Sequence, residues 1–226
     1  MKNTLAALLV LLFSASLIHS QVFTGFGIKG GPLLANTKFN YKTSEFDLET
    51  KNLLGFSAAA FGELKLADNI NLVIDGGYEQ RGYTFEIIRT DEFGTEIGRH
   101  DVRNRTNYIS AGVTGKFLYK GRSITPYLLA GLKSDFYLGY KVSYSEDIVP
   151  EMFFSENDLL ENYKKINYSV NIGLGLQFEK LFPYQTFAEF VFAPPVNSSY
   201  NTRFLETRDY YLGLKLGINF IKSKKK

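Results

Sequence analysis

The 226-residue sequence contains no cysteine and no tryptophan, and it has only two methionines and two histidines. The absence of cysteine excludes a disulfide framework, a thiolate-ligated metal centre and a thiol nucleophile. The net charge is also small, because 26 Lys and Arg residues are balanced by 23 Asp and Glu residues. This balance argues against a nucleic-acid-binding protein. A hydrophobic content of 45% is too high for a disordered chain. We expect one domain, no cofactor, no metal and no nucleic-acid partner.

Long hydrophobic runs are missing, with one short exception near the N-terminus. A single positive charge at Lys2 precedes the apolar run Leu5–Phe13, and small residues follow up to Ser20. This order predicts a secretory signal peptide over residues 1–20, cleaved after Ser20. A membrane anchor is the alternative, but a spanning helix needs about 17–25 apolar residues. The mature domain is then predicted to cover residues 21–226.

Beyond residue 22 the sequence alternates between apolar and polar residues with a period of two, which is the period of a β-strand. The clearest segment is Ile166–Phe178, in which Ile, Val, Leu and aromatic residues share one face and Asn, Ser and Gly the other. Segments Tyr108–Tyr119 and Tyr210–Phe220 repeat the pattern. Weaker copies lie near 22–35, 52–66, 69–88, 124–144 and 185–196. Eight strands of this length are long enough to cross a bilayer.

The predicted connections also alternate, between short turns and long polar stretches. Short turns are predicted at 67–69, 120–123 and 180–183, and long loops at 36–51, 89–105, 145–163 and 197–208. An even number of strands with this alternation is typical of an all-β, eight-stranded antiparallel transmembrane up-and-down barrel. On this plan the short turns and both termini are periplasmic and the long loops are extracellular. The location expected is the Gram-negative outer membrane.

A soluble eight-stranded barrel, such as a lipocalin, is the main architectural alternative. An eight-stranded interior barely holds its own side chains, so rows of large apolar residues fit outside and the glycine-rich polar rows inside. Aromatic residues of the apolar face support this orientation, because they cluster in two belts as at membrane interfaces. One predicted belt comprises Phe117, Tyr119, Phe178 and Phe220, and the other Tyr78, Tyr140, Tyr144, Tyr168 and Tyr210.

The polar face then supplies charged side chains to the barrel interior. Buried charges require partners or hydration, so a nearly balanced set predicts a salt-bridged polar plug, with a narrow solute path as the alternative. The predicted interior set is Lys29, Glu63, Lys65, Asp75, Glu79, Arg81, Lys116, Lys133, Asp135, Lys141, Glu189 and Lys215.

Two glycine-punctuated segments carry a family resemblance. The opening strand Gly25–Gly31 and the closing strand Tyr210–Phe220, together with the signal peptide and eight alternating strands, resemble the PorT-like outer-membrane β-barrel domain family over residues 22–221. The architecture is also similar to the OmpA and OmpX barrels. The resemblance implies a fold and a location, and no catalytic residue. Since some relatives serve type IX secretion and others are adhesins or structural proteins, it also implies an accessory role in secretion or assembly as an alternative to a structural one.

Catalysis has little support in the sequence. After removal of the signal peptide, His100 is the one remaining histidine, beside Asp101 and with Ser110 further along the chain. A lipid A-modifying hydrolase or acyltransferase, the enzyme alternative, would need such groups within hydrogen-bond reach of each other. A solvated loop histidine is the simpler interpretation, so no catalytic residue is predicted.

Binding at the predicted extracellular loops is the better-supported function. The stretch 89–105 carries four arginines that suit lipopolysaccharide phosphates: Arg89, Arg99, Arg103 and Arg105. The stretch 145–163 is acidic and holds an apolar group suited to another envelope protein: Met152, Phe153, Phe154, Leu159 and Leu160. The alternative is that the basic and acidic loops neutralise each other. The expected partners are therefore outer-membrane lipid and lipopolysaccharide, and a further envelope protein.

Overall fold

A computed structural model describes most of the mature chain. The described residues are 23–42, 48–119, 121, 123–144, 163–178 and 184–222. The predicted signal peptide at 1–20, the predicted partner residues Met152, Phe153, Phe154, Leu159 and Leu160, and the predicted turn at 180–183 lie outside these residues. Among the described residues, no helix is long and apolar enough to cross a membrane.

The described chain folds into β-strands whose alternation of apolar and polar side chains matches the pleat of a sheet. Eight strands are long and correspond to the eight predicted ones, while a two-residue strand, β8, falls inside the predicted loop at 197–208. The strands are β1 Phe23–Tyr41, β2 Thr50–Ala67, β3 Ile70–Thr90, β4 Glu96–Leu118, β5 Ile124–Tyr144, β6 Ile166–Phe178, β7 Tyr184–Ala193, β8 Tyr200–Asn201 and β9 Leu205–Lys222.

All strand pairings are antiparallel, and they follow chain order from β1 to β7 and then to β9. Strand β9 also pairs with β1, from Gly27 opposite Asn219 to Tyr41 opposite Leu205. The pairing therefore returns to its first strand, and each long strand has two long neighbours. The short strand β8 pairs with β9. Both ends of the described chain lie at one end of this ring, which we call the terminal end. The opposite end, where β3 joins β4, is the loop end.

Burial shows which side chains face inward. Ile172 and Leu174 are 52% and 56% exposed, whereas Asn171 between its apolar neighbours is buried. On β9, Leu216 is 62% exposed and Lys215 is buried. The prediction that the apolar face lies outside and the polar, glycine-rich face inside is confirmed for these strands. An ordinary soluble core would require the reverse arrangement.

The prediction of a long loop at 89–105 is wrong. Strands β3 and β4 continue as a paired ladder from Ile70–Phe117 to Thr90–Glu96, and only residues 91–95 turn the chain. Asp91 fixes that turn, because its carboxylate accepts the backbone N–H groups of Phe93 and Thr95 at 2.9 and 2.8 Å. Gly94 supplies the positive φ of 80°. Apolar and polar residues mix on both faces of this segment, so hydropathy does not reveal the strands, which backbone hydrogen bonds maintain.

A β-bulge changes the facing of the outer part of β5. Asn107 pairs with Gly139 and Tyr108 with Tyr137, so Leu138 is an extra residue on β5. An extra residue reverses the facing of the side chains beyond it, because successive side chains of a strand point to opposite faces. Lys141 is therefore exposed on the outside, and its predicted interior position is wrong. Tyr140 and Tyr144, predicted for the outward belt, line the interior instead.

Candidate functional site: a charged plug beneath an aromatic vestibule

The middle of the ring is filled by ten charged side chains that are buried or nearly so. They project from β1, β2, β3, β4, β5, β7 and β9 at inward positions. Five are basic and five are acidic, so their formal charges cancel. They are Lys29, Arg81, Lys116, Lys133, Lys215, Glu63, Asp75, Glu79, Asp135 and Glu189.

Glu79 is the centre of this plug. Its carboxylate lies 2.8 Å from the Arg81 guanidinium, 2.7 Å from Lys133 Nζ and 3.3 Å from Lys215 Nζ. Asp135 lies 2.7 Å from Arg81 and 3.4 Å from Lys133, so these two cations each contact two carboxylates. Charges removed from water need such close partners, because desolvation of an unpaired ion costs several kcal/mol.

Two smaller groups of charges complete the plug toward the terminal end. Lys29 lies 2.8 Å from Asp75 and 3.7 Å from Glu189. Lys116 donates to Glu63 at 3.1 Å and to the side-chain carbonyl of Gln177 at 2.8 Å. Each of these contacts joins strands that are not neighbours in the ring. The side chains therefore bridge the lumen rather than line it.

Aromatic rings separate the charged groups and close the remaining space. The Arg81 guanidinium lies between two rings, 4.7 Å from the centroid of Tyr108 and 4.8 Å from that of Tyr211. Lys116 lies 4.5 Å from the ring of Tyr127, whose hydroxyl donates to Glu189 at 3.1 Å. Such contacts stabilise a desolvated cation.

Glycines on adjacent strands make room for two of the inward-facing rings, Tyr127 and Phe187. A Cβ atom at Gly175 would lie 2.3 Å from Cζ of Tyr127, and one at Gly217 would lie 2.1 Å from Cζ of Phe187. Any other residue at either position would displace a buried ring. The predicted crowding of the interior is therefore visible at individual atoms.

Two predicted interior cations do not belong to the plug. Lys65 is in the inward phase of β2 but lies at its end, where its side chain is 45% exposed and contacts Asp68 at 2.9 Å. Lys141 faces outward because of the bulge at Leu138. Both are basic, so their removal turns a predicted set of seven basic and five acidic residues into a balanced one.

Above the plug, at the loop end, lies a cavity of about 470 Å³ that we call the vestibule. Its wall comes from the outer parts of β1, β3, β4, β5 and β9, with Leu48, Tyr163 and Tyr200. Ten of the lining side chains are aromatic, and two are charged among the residues that the structure describes. Ring contacts tie the wall together, such as Phe39 with Tyr83 at 5.2 Å and Tyr137 with Tyr163 at 4.8 Å between centroids.

Asp209 is the acidic group of the vestibule. It follows Tyr211 as the next inward position of β9 toward the loop end. Its carboxylate accepts a hydrogen bond from the Thr37 hydroxyl at 2.7 Å and lies 3.0 and 3.1 Å from the hydroxyls of Tyr163 and Tyr108. These two hydroxyls also share a hydrogen bond with each other, so one of them donates to Asp209 at a time. Sequence reasoning did not single out this residue. Period-two alternation marks it as inward, but its hydroxyl partners come from three distant parts of the chain.

The structure does not bring His100 and Ser110 together. His100 lies on β4, where it is buried, and not in a solvated loop. Ser110 lies ten residues further along the same strand, a separation of about 33 Å at 3.3 Å per residue. Ser110 instead donates to Asp135 of the plug at 2.7 Å.

The four arginines predicted to contact phosphate lie on strands, not in a loop, and they differ in their surroundings. Arg99 contacts two carboxylates: its Nε donates a hydrogen bond to Glu96, and its Nη1 lies 3.7 Å from Glu86. Arg103 and Arg105 lie on β4 at outward positions, with Lys141 of β5 directly opposite Arg105. Among the described residues, no carboxylate lies within 4 Å of these three cations. Arg89 is exposed near the end of β3.

The Glu96–Arg99 pair is exposed near the tip of the β3–β4 hairpin. The hydrogen bond from Arg99, reinforced by the positive charge of its guanidinium, lowers the pKa of the Glu96 carboxyl below its ordinary value. The same pairing raises the pKa of Arg99. Glu96 is therefore ionised throughout the neutral range, and Arg99 stays occupied.

Comparison with solved structures finds matches at low sequence identity. Neisserial surface protein A is 13% identical with a TM-score of 0.45, and the match covers 88% of this chain and 99% of that one. OprG from Pseudomonas aeruginosa is 9% identical with a TM-score of 0.45, covering 88% and 97%. Ail of Yersinia pestis is 14% identical with a TM-score of 0.35, covering 85% and 97%.

No curated protein matches the sequence significantly. A family model does match, and it spans residues 20–201, which is most of the chain. The family is described as the outer membrane protein beta-barrel domain. Its match agrees with the ring of eight long strands, the apolar outward face and the polar interior. The chain belongs to the outer membrane protein beta-barrel domain family, and its place is the Gram-negative outer membrane.

Proposed function

We propose that this protein is an integral outer-membrane barrel with a closed lumen, which acts as a structural or partner-binding component through its loop end. The loop end faces the outside and both termini face the periplasm. This orientation is supported by the lengths of the connections, since residues 68–69 join β2 to β3 at the terminal end, whereas 145–165 join β5 to β6 at the loop end.

The observation that carries the closed lumen is the plug. Ten charges with balanced signs bridge the ring, and Tyr108, Tyr127 and Tyr211 are each no more than 1% exposed. An eight-stranded barrel has an interior just wide enough for its own side chains. An ion crossing it would have to displace paired groups, so the protein is expected to insulate.

Planar-bilayer recording tests this proposal. The wild-type protein should give no stable conductance steps, because its side chains span the lumen. A variant with a shortened plug, Lys133→Ala with Tyr211→Ala, is the matched positive control and should leak ions if it folds. Stable steps from the wild-type protein would contradict the closed lumen.

Lipopolysaccharide phosphate is the partner that we propose for the outer wall. Arg103 and Arg105 succeed each other on the outward face of β4, and Lys141 extends the row across to β5. Polar residues mark the upper limit of the apolar belt below them, as Tyr78 donates to Asn107 at 2.7 Å. Guanidinium groups bind phosphate oxygens bidentately. Among the described residues, no carboxylate within 4 Å competes for Arg103 or Arg105.

The test compares lipopolysaccharide retention by matched variants in native mass spectrometry. The variant Arg103→Gln with Arg105→Gln should retain less lipopolysaccharide than the wild type. Arg99→Gln is the control and should not change retention, because Glu96 and Glu86 already engage that arginine. Equal losses from both variants would contradict a specific phosphate site and indicate general surface charge.

The sequence also supports two narrower proposals, a PorT-like family relationship and a further envelope protein as partner. The PorT-like resemblance supports an accessory role in secretion or assembly, with the segment holding Met152, Phe153, Phe154, Leu159 and Leu160 as the docking loop. Affinity purification from native outer membranes, with and without residues 151–160, tests this role. A stoichiometric partner lost on deletion would support it, and a lone barrel would favour the structural role.

A further inference from the structure

The vestibule has the dimensions of a ligand site. Small-molecule pockets span roughly 300–1,000 Å³ and are lined mainly by apolar and aromatic side chains with few polar groups. The vestibule volume of about 470 Å³ lies in this range. Its floor is the plug, so a molecule that enters from the loop end has no path further inward.

The vestibule presents aromatic ring systems from several strands. Phe39 comes from β1, Tyr83 and Phe85 from β3, and Tyr140 and Tyr144 from β5. The π faces of such rings carry partial negative charge and attract cations, most strongly where water is excluded. An aromatic wall of this kind suits an apolar molecule that carries a positive charge.

The charge balance of the vestibule points the same way. Arg81 at the floor is neutralised by Glu79 and Asp135, at 2.8 and 2.7 Å. Asp209 has hydroxyl donors instead, from Thr37, Tyr108 and Tyr163. No lysine or arginine among the described residues lies within 4 Å of it. Because Tyr108 and Tyr163 share a hydrogen bond, Asp209 accepts from Thr37 and from one tyrosine at a time. A carboxylate has about four acceptor positions, so room remains for a further donor.

We propose that the vestibule binds an organic cation: an amine or quaternary ammonium group beside Asp209, with its apolar body against the aromatic wall. The ammonium group supplies the countercharge that Asp209 lacks, and the rings desolvate the apolar part. An anionic ligand would be repelled by the Asp209 carboxylate, which no basic residue among the described ones contacts. A neutral ligand would leave that carboxylate without its countercharge. This inference does not rest on the closed lumen.

Calorimetric titration of the full-length protein in lipid nanodiscs tests the site. The probe is benzyltrimethylammonium, and benzenesulfonate and benzyl alcohol are its anionic and neutral counterparts. The cation should bind the wild-type protein more tightly than either counterpart. Asp209→Asn keeps the side-chain shape and should weaken cation binding by about tenfold, while leaving benzyl alcohol unchanged. Glu92→Gln, at the exposed turn after β3, is the matched control and should have no effect.

A second variant keeps the test informative if Asp209→Asn does not fold. Tyr140→Leu leaves the carboxylate and its hydroxyl donors in place but removes one ring of the wall, and it should weaken cation binding several-fold. Both variants are compared in the same nanodiscs, so partitioning of the probe into lipid cancels. Equal binding of the three probes, no binding of the cation, or cation affinity unchanged in both variants would overturn the proposal.

Discussion

Replacing Glu79 by glutamine removes the one carboxylate that three buried cations share. In the wild-type protein Glu79 lies within 3.3 Å of Arg81, Lys133 and Lys215. Arg81 and Lys133 keep Asp135 as a second partner. Lys215 has no other carboxylate within 4 Å among the described residues, so the substitution leaves its buried ammonium group without a carboxylate in contact.

The magnitude follows from this accounting. Removing one partner of a buried ion pair costs about 3–5 kcal/mol of unfolding free energy, because the remaining charge stays desolvated. We expect Glu79→Gln to fall in this range, since the plug changes from five acidic groups to four. Replacing Lys215 by methionine in the same protein removes the stranded charge. The double variant should therefore recover at least about 1 kcal/mol relative to the sum of the single variants.

Urea unfolding in lipid vesicles, followed by far-UV circular dichroism, measures these free energies. Glu92→Gln, an exposed carboxylate outside the plug, serves as the control and should change stability by less than about 0.5 kcal/mol. A loss below about 1 kcal/mol for Glu79→Gln would refute the argument that the plug is desolvated. Strict additivity in the double variant would refute the assignment of Lys215 to Glu79.

Three further predictions concern other parts of the barrel. The pKa of Glu96 should rise toward its ordinary value in Arg99→Gln, as measured by carboxyl-carbon NMR titration. Because pairing lowers this pKa, the stabilisation from the contact is complete at pH values above the ordinary pKa of glutamate. It is lost as the pH falls through the lowered pKa of Glu96. Gly175→Ala should destabilise the fold by about 1–3 kcal/mol, since its Cβ meets a buried tyrosine ring, whereas Gly139→Ala should be nearly neutral. A spin label at Lys141 should report an outward environment, and one at the preceding residue an inward one.

Each of these predictions has a result that would contradict it. An unchanged Glu96 pKa would show that Arg99 is not its partner in solution. Equal stability of the two glycine variants would argue against a crowded lumen at Gly175. A spin label at Lys141 that reports an inward environment would contradict the bulge in β5. The absence of native cysteine makes the labelling experiment direct.

Period-two alternation predicted the eight long strands and the facing of most of their side chains, because a barrel wall has a different solvent on each side. Ile166–Phe178 illustrates this, since its apolar residues are exposed and its polar residues inward along the whole strand. Ten of the twelve predicted interior charges are in place for the same reason. The periodicity carries no such signal in the outer β3–β4 hairpin, where apolar and polar residues mix on both faces, and the strands there were predicted as a loop.

The sequence by itself determined the strand period, the absence of a long helix-forming run and the excess of polar residues on one face. Only the tertiary structure decided which charges meet and which face the outside. The bulge at Leu138 depends on the register between β4 and β5, and it alone turns Lys141 outward. Asp209 acquires Thr37 and Tyr163 as donors across 172 and 46 residues of sequence. Local alternation determines the facing of a side chain along a regular strand, whereas bulges and side-chain partners are determined by the pairing of strands and closure of the ring.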